Sequence, residues 1–460
     1  MKVVLISTYE LGRQPFGLAS PAAWLRRLGV QVRCLDLAVE QFDAEAVRGA
    51  DLVAFYLPMH TATRLAIPVA QRVAALSPSA HLCFYGLYAP QNVEILRSLG
   101  AGTILGGEFE EGLCALVERL RSARETGGPV GPQSDAMVSL AKQRFLLPER
   151  SGLPPLERYA QLDLGPLGMR TVGYTEATRG CRHRCRHCPI VPVYDGALRV
   201  VQRDVVLSDI AGQVADGAQH ITFGDPDFFN GVGHALAIVN ELHERFPDVT
   251  YDVTIKIEHL LRHAKHLPTL LDTGCAFVTS AVEAVDDRIL RIFDKNHTRQ
   301  DFMAVVSLFR DLGLVMNPTF VAFTPWTTLG GFVDLLAVIA ELELVENVAP
   351  IQYAIRLLLP DGSLLLELSE VQEVVGAFDP EALCHRWTHP DPRVDRLQEA
   401  ILATLSGEHA SAMTRVDAFE EVWRLAAKAY RDGTHRPLEP HRSFELARRP
   451  IPQMTEPWFC

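Results

Sequence analysis

Three cysteines, Cys181, Cys185 and Cys188, stand at i, i+4 and i+7 in the stretch TEATRGCRHRCRHCP, Thr175–Pro189. A loop with that spacing can wrap three thiolates around one face of an iron–sulfur cubane. A [4Fe–4S] cluster held entirely by protein uses four thiolates, and the next cysteine, Cys275, lies far along the chain. Three thiolates leave one iron open, as catalytic metal sites keep a position for a ligand that is not protein. The amino and carboxylate groups of S-adenosylmethionine can chelate such an iron, and an electron passed from the cluster to the sulfonium then breaks a carbon–sulfur bond. The protein's share is to position and shield. Two other chemistries fit the same loop. Zinc could use these cysteines with His183 or His187, although zinc sites tend to pair one C-x₂₋₄-C element with a second half elsewhere. A low-potential electron-transfer cluster would want a fourth cysteine close by.

A loop of this kind needs a rigid frame, and the sequence supplies two. In residues 1–125, apolar β-branched runs at Val3–Ile6, Val30–Leu37, Leu52–Leu57, His81–Tyr85 and Thr103–Leu105 alternate with helical stretches. Short buried strands with short crossovers imply a doubly wound parallel sheet, whose ligands bind beyond the carboxyl ends of its strands. Residues 126–170 read as a connector punctuated by glycine and proline. Residues 171–360 hold a second series, with strands expected at Thr171–Ala177, His220–Phe223, Asp252–Ile257, Phe277–Val282, Val315–Phe323 and Ile351–Leu358. This fits a partial (β/α)6 barrel with its chemistry at the carboxyl ends of the strands, and the cysteine loop follows the first of them. Residues 361–460 read as mostly helical. The fold class is therefore α/β: a doubly wound sheet, a partial barrel and a helical carboxyl-terminal region.

The barrel strands carry further polar residues. In DVTIKIE, Asp252–Glu258, Asp252, Thr254, Lys256 and Glu258 share one face, which a barrel would turn inward. Asn317 and Thr319 share a face of the fifth strand, and Gln352 and Arg356 share one of the sixth. Arg356 has two readings of equal weight: a bidentate grip on a carboxylate or phosphate, or a salt bridge to a nearby helix.

The C-x₃-C-x₂-C spacing resembles the defining motif of the radical S-adenosylmethionine superfamily, a resemblance that spans roughly residues 150–360. LPPLERYAQL ahead of the strand and TRGC at its end are similar to the branch that carries an amino-terminal cobalamin-binding domain. One departure is His187, where the family usually has an aromatic residue before the last cysteine; it bears on stacking near the adenine and removes no ligand. The resemblance implies roles for other positions. Gly224 and Asp225, in GDPDFF, fall where the family has a turn and a polar residue that receive the methionine amino group. Glu283, in VTSAVEAVDDRIL, falls where a glutamate contacts the ribose or amino-acid end of the cofactor, although Ala284 replaces the serine that often follows. Lys256, Asn317 and Arg356 complete the expected cofactor contacts.

GGEFEEGL, Gly106–Leu113, resembles the last βα turn of the superfamily's cobalamin-binding domains. Glycines there permit close backbone approach, and the glutamates also suit a helix amino terminus. The chain lacks the D-x-H-x-x-G motif that supplies a cobalt-ligating histidine. Cobalamin would bind without a protein ligand, or the domain would merely shape the active site.

The sequence closes PQMTEPWFC, similar to the CUAEP/CCAEP-tail radical SAM (seleno)protein family, in which cysteine or selenocysteine precedes Ala-Glu-Pro. The resemblance implies that Cys460 is half of a reactive, catalytic pair and that a selenocysteine codon follows it. Cys34, Cys83, Cys114, Cys275 and Cys384 read as small buried hydrophobes.

Composition bounds the partners. Hydrophobic residues make up 48%, charged residues 22%, and the formal net charge is −12. An acidic chain is a poor prior for nucleic-acid binding. No run of about 18 apolar residues argues for a membrane span, and scattered cysteines with no signal-peptide pattern at the amino terminus argue for a reducing cytoplasm. The expected function is reductive cleavage of S-adenosylmethionine to modify a small-molecule or peptide acceptor, with an electron donor such as flavodoxin or ferredoxin. Methyl transfer follows if cobalamin binds, and transfer of a 3-amino-3-carboxypropyl group stays open. The alternative class is a non-catalytic iron–sulfur or zinc protein in electron transfer or sensing.

Overall fold

The computed structural model describes residues 1–128, 130, 136–406, 413–434 and 451–456. Cys460 lies outside the described residues.

The amino-terminal strands are β1 (Lys2–Ser7), β2 (Gln31–Asp36), β3 (Leu52–Tyr56), β4 (His81–Tyr85), β5 (Ala101–Gly107) and the short β6 (Val138–Ser139). They form one sheet in the order β2-β1-β3-β4-β5-β6, and every pair is parallel. Both faces are covered, which is why the strands read as unbroken apolar runs. Val4 and Ile6 of β1 pack with Phe55, Ala66 and Val73 in one core, while Val3 and Leu5 pack with Leu18, Leu25 and Leu113 in the other. The chain reverses its winding beside β1, so the crevice at the carboxyl ends of β1 and β3 opens there.

The second sheet begins with β7 (Gln161–Asp163), which runs antiparallel to β8 (Met169–Thr175). A small antiparallel ribbon of β9 (Thr178–Gly180) and β10 (Leu198–Val200) brackets the cysteine loop. Then β11 (His220–Phe223), β12 (Thr250–Thr254), β13 (Cys275–Glu283) and β14 (Met316–Phe320) add to β8 in parallel. Tyr251 and Val253 of β12, Val278 and Val282 of β13, and Met316 and Phe320 of β14 face the surrounding helices in the largest core. Strand alternation turns Asp252, Thr254, Asn317 and Thr319 the other way, into the barrel.

Three expectations need correction. The sixth strand is not formed: Pro350–Tyr353 is a 3₁₀ turn, and pairing shrinks to one parallel bridge between Phe323 and Arg356. The Gln352 side chain, rather than a strand backbone, accepts the Phe320 N–H at 2.9 Å. The third strand is shorter than its alternating pattern, because the helix Ile257–Arg262 starts directly after Lys256. The stretch expected as a connector is also structural, since it supplies β6 to the first sheet and β7 to the second.

Beyond the barrel, β15 (Val375–Asp379) and β16 (Cys384–Trp387) form a hairpin within a region otherwise dominated by the helices Pro392–Ser406 and Arg415–Thr434. Finally β17 (Gln453–Met454) pairs with β7 and covers the edge of the second sheet. Among the described residues no helix is long and apolar enough to cross a membrane.

Candidate active site

The cysteine loop leaves the barrel at the carboxyl end of β8 and turns sharply at Gly180. That residue has φ +74°, and a Cβ there would sit 2.4 Å from the Ala197 carbonyl oxygen and against the Tyr194 ring. Only glycine satisfies both constraints. Cys181 and Cys185 are buried and Cys188 is half-buried. Asn230 donates from Nδ2 to Cys181 Sγ at 3.4 Å while its Oδ1 accepts the Arg182 N–H at 3.3 Å. Lys256 brings its ammonium to 3.5 Å from Cys185 Sγ. As free thiols, Cys181 is pushed up by burial and Cys188 is pushed up to about 12 for the same reason. Binding a metal would therefore release protons.

Gly224 and Asp225 follow β11. A Cβ on Gly224 would meet the Tyr174 hydroxyl at 1.8 Å, so this glycine lets two strand ends approach. The Asp225 carboxylate is turned to the start of the cysteine loop. It accepts the Ala177 N–H at 2.9 Å and the Thr178 hydroxyl. Burial pushes it up to about 7 against the pull of those two donors.

Glu283 ends β13 in the left-handed region, at φ +68°. Lys295 Nζ lies 3.2 Å and His187 Nε2 3.1 Å from its Oε1. Burial alone would raise its pKa; Lys295 and His187 outweigh it and hold the carboxyl at about 2. Burial lowers the pKa of His187, which also tilts against the Phe293 ring at 4.4 Å. His297, buried and facing Lys295 and Lys256, is pushed down to about 4. On the inner face of β14, Asn317 Oδ1 and Thr319 Oγ1 are buried and make no hydrogen bond.

Of the two readings of Arg356, the structure shows the salt bridge to a nearby helix. Its guanidinium lies 3.5 Å over the Trp387 ring and bonds Asp395 and the Trp387 carbonyl, each at 2.6 Å. It fastens the helix Pro392–Ser406 to the end of the barrel and is spent there.

Sequence reading missed the group that joins the two sheets. Arg179, ahead of Cys181, is buried and paired with Glu176, Glu108 and Glu110. Ser20, Gln143 and Tyr194 complete the hydrogen bonds of the two amino-terminal glutamates. Glu108 and Glu110 of GGEFEEGL thus act through a buried guanidinium more than through the helix dipole. Their only sequence signal was two acids in a turn with no evident counter-charge.

Residues 175–325 match the family model of the radical SAM superfamily. Two curated relatives are each 24% identical. A tRNA-2-methylthio-N(6)-dimethylallyladenosine synthase of Desulfosudis oleivorans aligns over 213 residues, 43% of each chain. A hopanoid C-3 methylase of Methylococcus capsulatus aligns over 332 residues, 68% of this chain and 62% of that protein. The chain spans less than two thirds of the length of either. Among solved structures, the methyltransferase TsrM from Kitasatospora setae with cobalamin and a [4Fe–4S] cluster bound has a TM-score of 0.63 at 15% identity, over 93% of this chain and all of that one. The enzyme OxsB with aqua-cobalamin bound has a TM-score of 0.64 at 13% identity, over 88% of this chain and 66% of that one. At those identities the likeness is one of fold. The matched segment holds the cysteine loop and the strands around it, so residues 175–325 carry a radical SAM domain, and the chain shares its fold with TsrM and OxsB.

Proposed function

We propose that the protein cleaves S-adenosylmethionine reductively and uses the resulting radical to activate a small-molecule or peptide acceptor, with methyl transfer the reaction class, the methyl group coming from a second S-adenosylmethionine that leaves as S-adenosylhomocysteine. The observation that carries this is the set Cys181, Cys185 and Cys188 on one loop at the carboxyl end of β8, with Lys256 against Cys185. When bound, a [4Fe–4S] cluster on these thiolates supplies the electron that breaks a carbon–sulfur bond, drawn from a donor such as flavodoxin or ferredoxin. The chain's own residues do the rest. Asp225 fixes the start of the loop through Ala177 and Thr178. Asn230 orients Cys181. The ammonium of Lys256 offsets negative charge on the thiolates. Glu283, kept ionised by Lys295 and His187, is the acceptor for hydroxyl or ammonium groups of the cofactor. Asn317 and Thr319, with unused polar atoms, face the acceptor.

The residues at the carboxyl ends of the first sheet fit a corrinoid's polar periphery. Ser7 Oγ, Glu10 Oε2, Gln91 Oε1 and Asn92 Oδ1 are buried there without a hydrogen bond. Burial raises the Glu10 pKa well above the carboxylate range, so the acid can donate to an amide. Gln91 Nε2 also donates to the Pro189 carbonyl at 3.0 Å, beside Cys188. Cobalamin held by these groups would carry a methyl group without a protein ligand to cobalt. That reading rests on the bound cobalamin of OxsB and TsrM and on these unpaired atoms.

The test is anaerobic. The purified chain is reconstituted with iron and sulfide and given S-adenosylmethionine and dithionite. The expected result is 5′-deoxyadenosine by mass spectrometry, absent in Cys185→Ala, together with a change in the reduced cluster's electron paramagnetic resonance signal when S-adenosylmethionine is added; methylthioadenosine would instead favour transfer of a 3-amino-3-carboxypropyl group. A fully loaded cluster whose signal ignores S-adenosylmethionine would instead favour electron transfer.

A further inference from the structure

Beside the cysteine loop, three segments bring together a second set of metal-binding side chains that the cluster does not use. His183 stands between Cys181 and Cys185. Asp227 lies in the turn after β11. Glu258 and His259 are in the first turn of Ile257–Arg262, after β12. Asp227 is fully buried, His259 is 6% exposed and the His183 side chain 12%. One ligand atom from each of His183, Asp227 and His259 lies within 4.8 Å of the other two.

The distances within this group are short enough for its atoms to share one ion. Asp227 Oδ1 caps the Phe229 N–H at 3.2 Å, which leaves Oδ2 aimed at the histidines. Asp227 Oδ2 is 2.7 Å from His259 Nδ1 and 3.5 Å from His183 Nε2, and the two Nε2 atoms are 3.3 Å apart. Yet Asp227 Oδ2 and His259 Nδ1, both buried, lack the alignment of a hydrogen bond. Buried ligand atoms this close normally share a proton or a cation. Metal–ligand bonds of about 2.0–2.1 Å in a tetrahedron separate ligand atoms by about 3.3 Å, close to the 3.5 Å between Asp227 Oδ2 and His183 Nε2, and His259 offers one of its two ring nitrogens as the third ligand. Glu258 Oε2, without a hydrogen bond of its own, lies 3.7 Å from His183 Nδ1, the far side of that ring. A carboxylate behind a histidine is the usual outer partner of a metal-bound imidazole.

We propose that His183, Asp227 and His259 bind one divalent first-row metal ion, separate from the three thiolates, with Glu258 as a positioning residue for His183. Two imidazoles and a carboxylate suit zinc better than magnesium or calcium, which prefer all-oxygen shells. The ion ties the middle of the cysteine loop to the ends of β11 and β12. With three protein ligands it keeps a fourth position for water or an acceptor group.

Zinc is the probe. The full chain, reconstituted anaerobically with iron and sulfide, is equilibrated with zinc, desalted and assayed for both metals. The expected result is one zinc per chain in addition to the cluster iron, with a zinc absorption-edge spectrum of nitrogen and oxygen neighbours and no sulfur. Asp227→Asn and His259→Gln each lose the zinc and keep the iron. Glu258→Gln weakens zinc roughly 10–100-fold, and Glu258→Asp recovers part of it. No zinc in the wild-type chain, or zinc with sulfur neighbours, overturns the proposal. The wild-type spectrum decides even where a variant folds poorly. Iron is counted separately, so failure of the cluster reading and failure of this one are told apart.

Discussion

Arg179 Nη2 donates to Glu110 Oε1 across 2.8 Å, and both side chains are buried. The bond joins the strand that leads into the cysteine loop to the first turn of the helix after β5. Glu108 and Glu176 share the same guanidinium. Burial pushes Glu108 up to about 6 despite Arg179, whereas at Glu110 Arg179 outweighs burial and keeps the pKa low.

Arg179→Met strands these carboxylates without a counter-charge. Removing one partner of a buried pair costs about 3–5 kcal/mol. Urea denaturation at neutral pH should lose that much. The loss should shrink as pH falls, because the stranded acids take up protons on folding. An unchanged midpoint would count against an anchoring role.

Lys256 holds a positive charge 3.5 Å from Cys185 Sγ. A cation there favours the reduced, more negative cluster. A hydrogen bond to a charged group is worth about 1.5–3 kcal/mol. Lys256→Met should therefore shift the one-electron potential negative by on the order of 60–120 mV. A redox titration followed by electron paramagnetic resonance reads the shift directly.

Glu283 sets an acid limit on stability. Its folded pKa of about 2 lies below the unfolded value, so its contribution is present above the normal carboxylate range and is lost as pH falls toward 2. The contribution is about 3 kcal/mol at neutral pH. Thermal unfolding between pH 3 and 6 should show a steeper fall in wild type than in Glu283→Gln. Parallel curves would place the carboxylate outside the ion pair with Lys295.

Gly180→Ala tests the turn into the loop. The new Cβ meets the Ala197 carbonyl oxygen at 2.4 Å, and left-handed backbone costs a non-glycine residue about 1–2 kcal/mol. Iron bound per chain should fall together with the melting temperature. Full iron loading in this variant would show that the loop tolerates a different path.

What the sequence determined by itself was whatever depends on neighbours along the chain. Strands buried on both faces appear as unbroken apolar runs, so β1, β3 and β4 were legible nearly to the residue. Three cysteines on one loop were legible because their spacing is local. The alternation in DVTIKIE correctly turned Asp252 and Lys256 inward, although it ran past the real end of β12 at Thr254.

Only the tertiary structure decided which distant side chains meet. Glu283 and Lys295 pair from opposite sides of the helix Asp287–Phe293, and Arg179 finds Glu110 from 69 residues away. His183, Asp227 and His259 converge because β8, β11 and β12 lie side by side, an order no local pattern encodes. Long-range contacts also replaced the expected sixth strand, where the Gln352 side chain meets the Phe320 N–H, and chose between the two readings of Arg356 by placing Asp395 and the Trp387 carbonyl against it. Periodicity reports which face of an element is apolar; partners for buried charges are set by how the sheet curls.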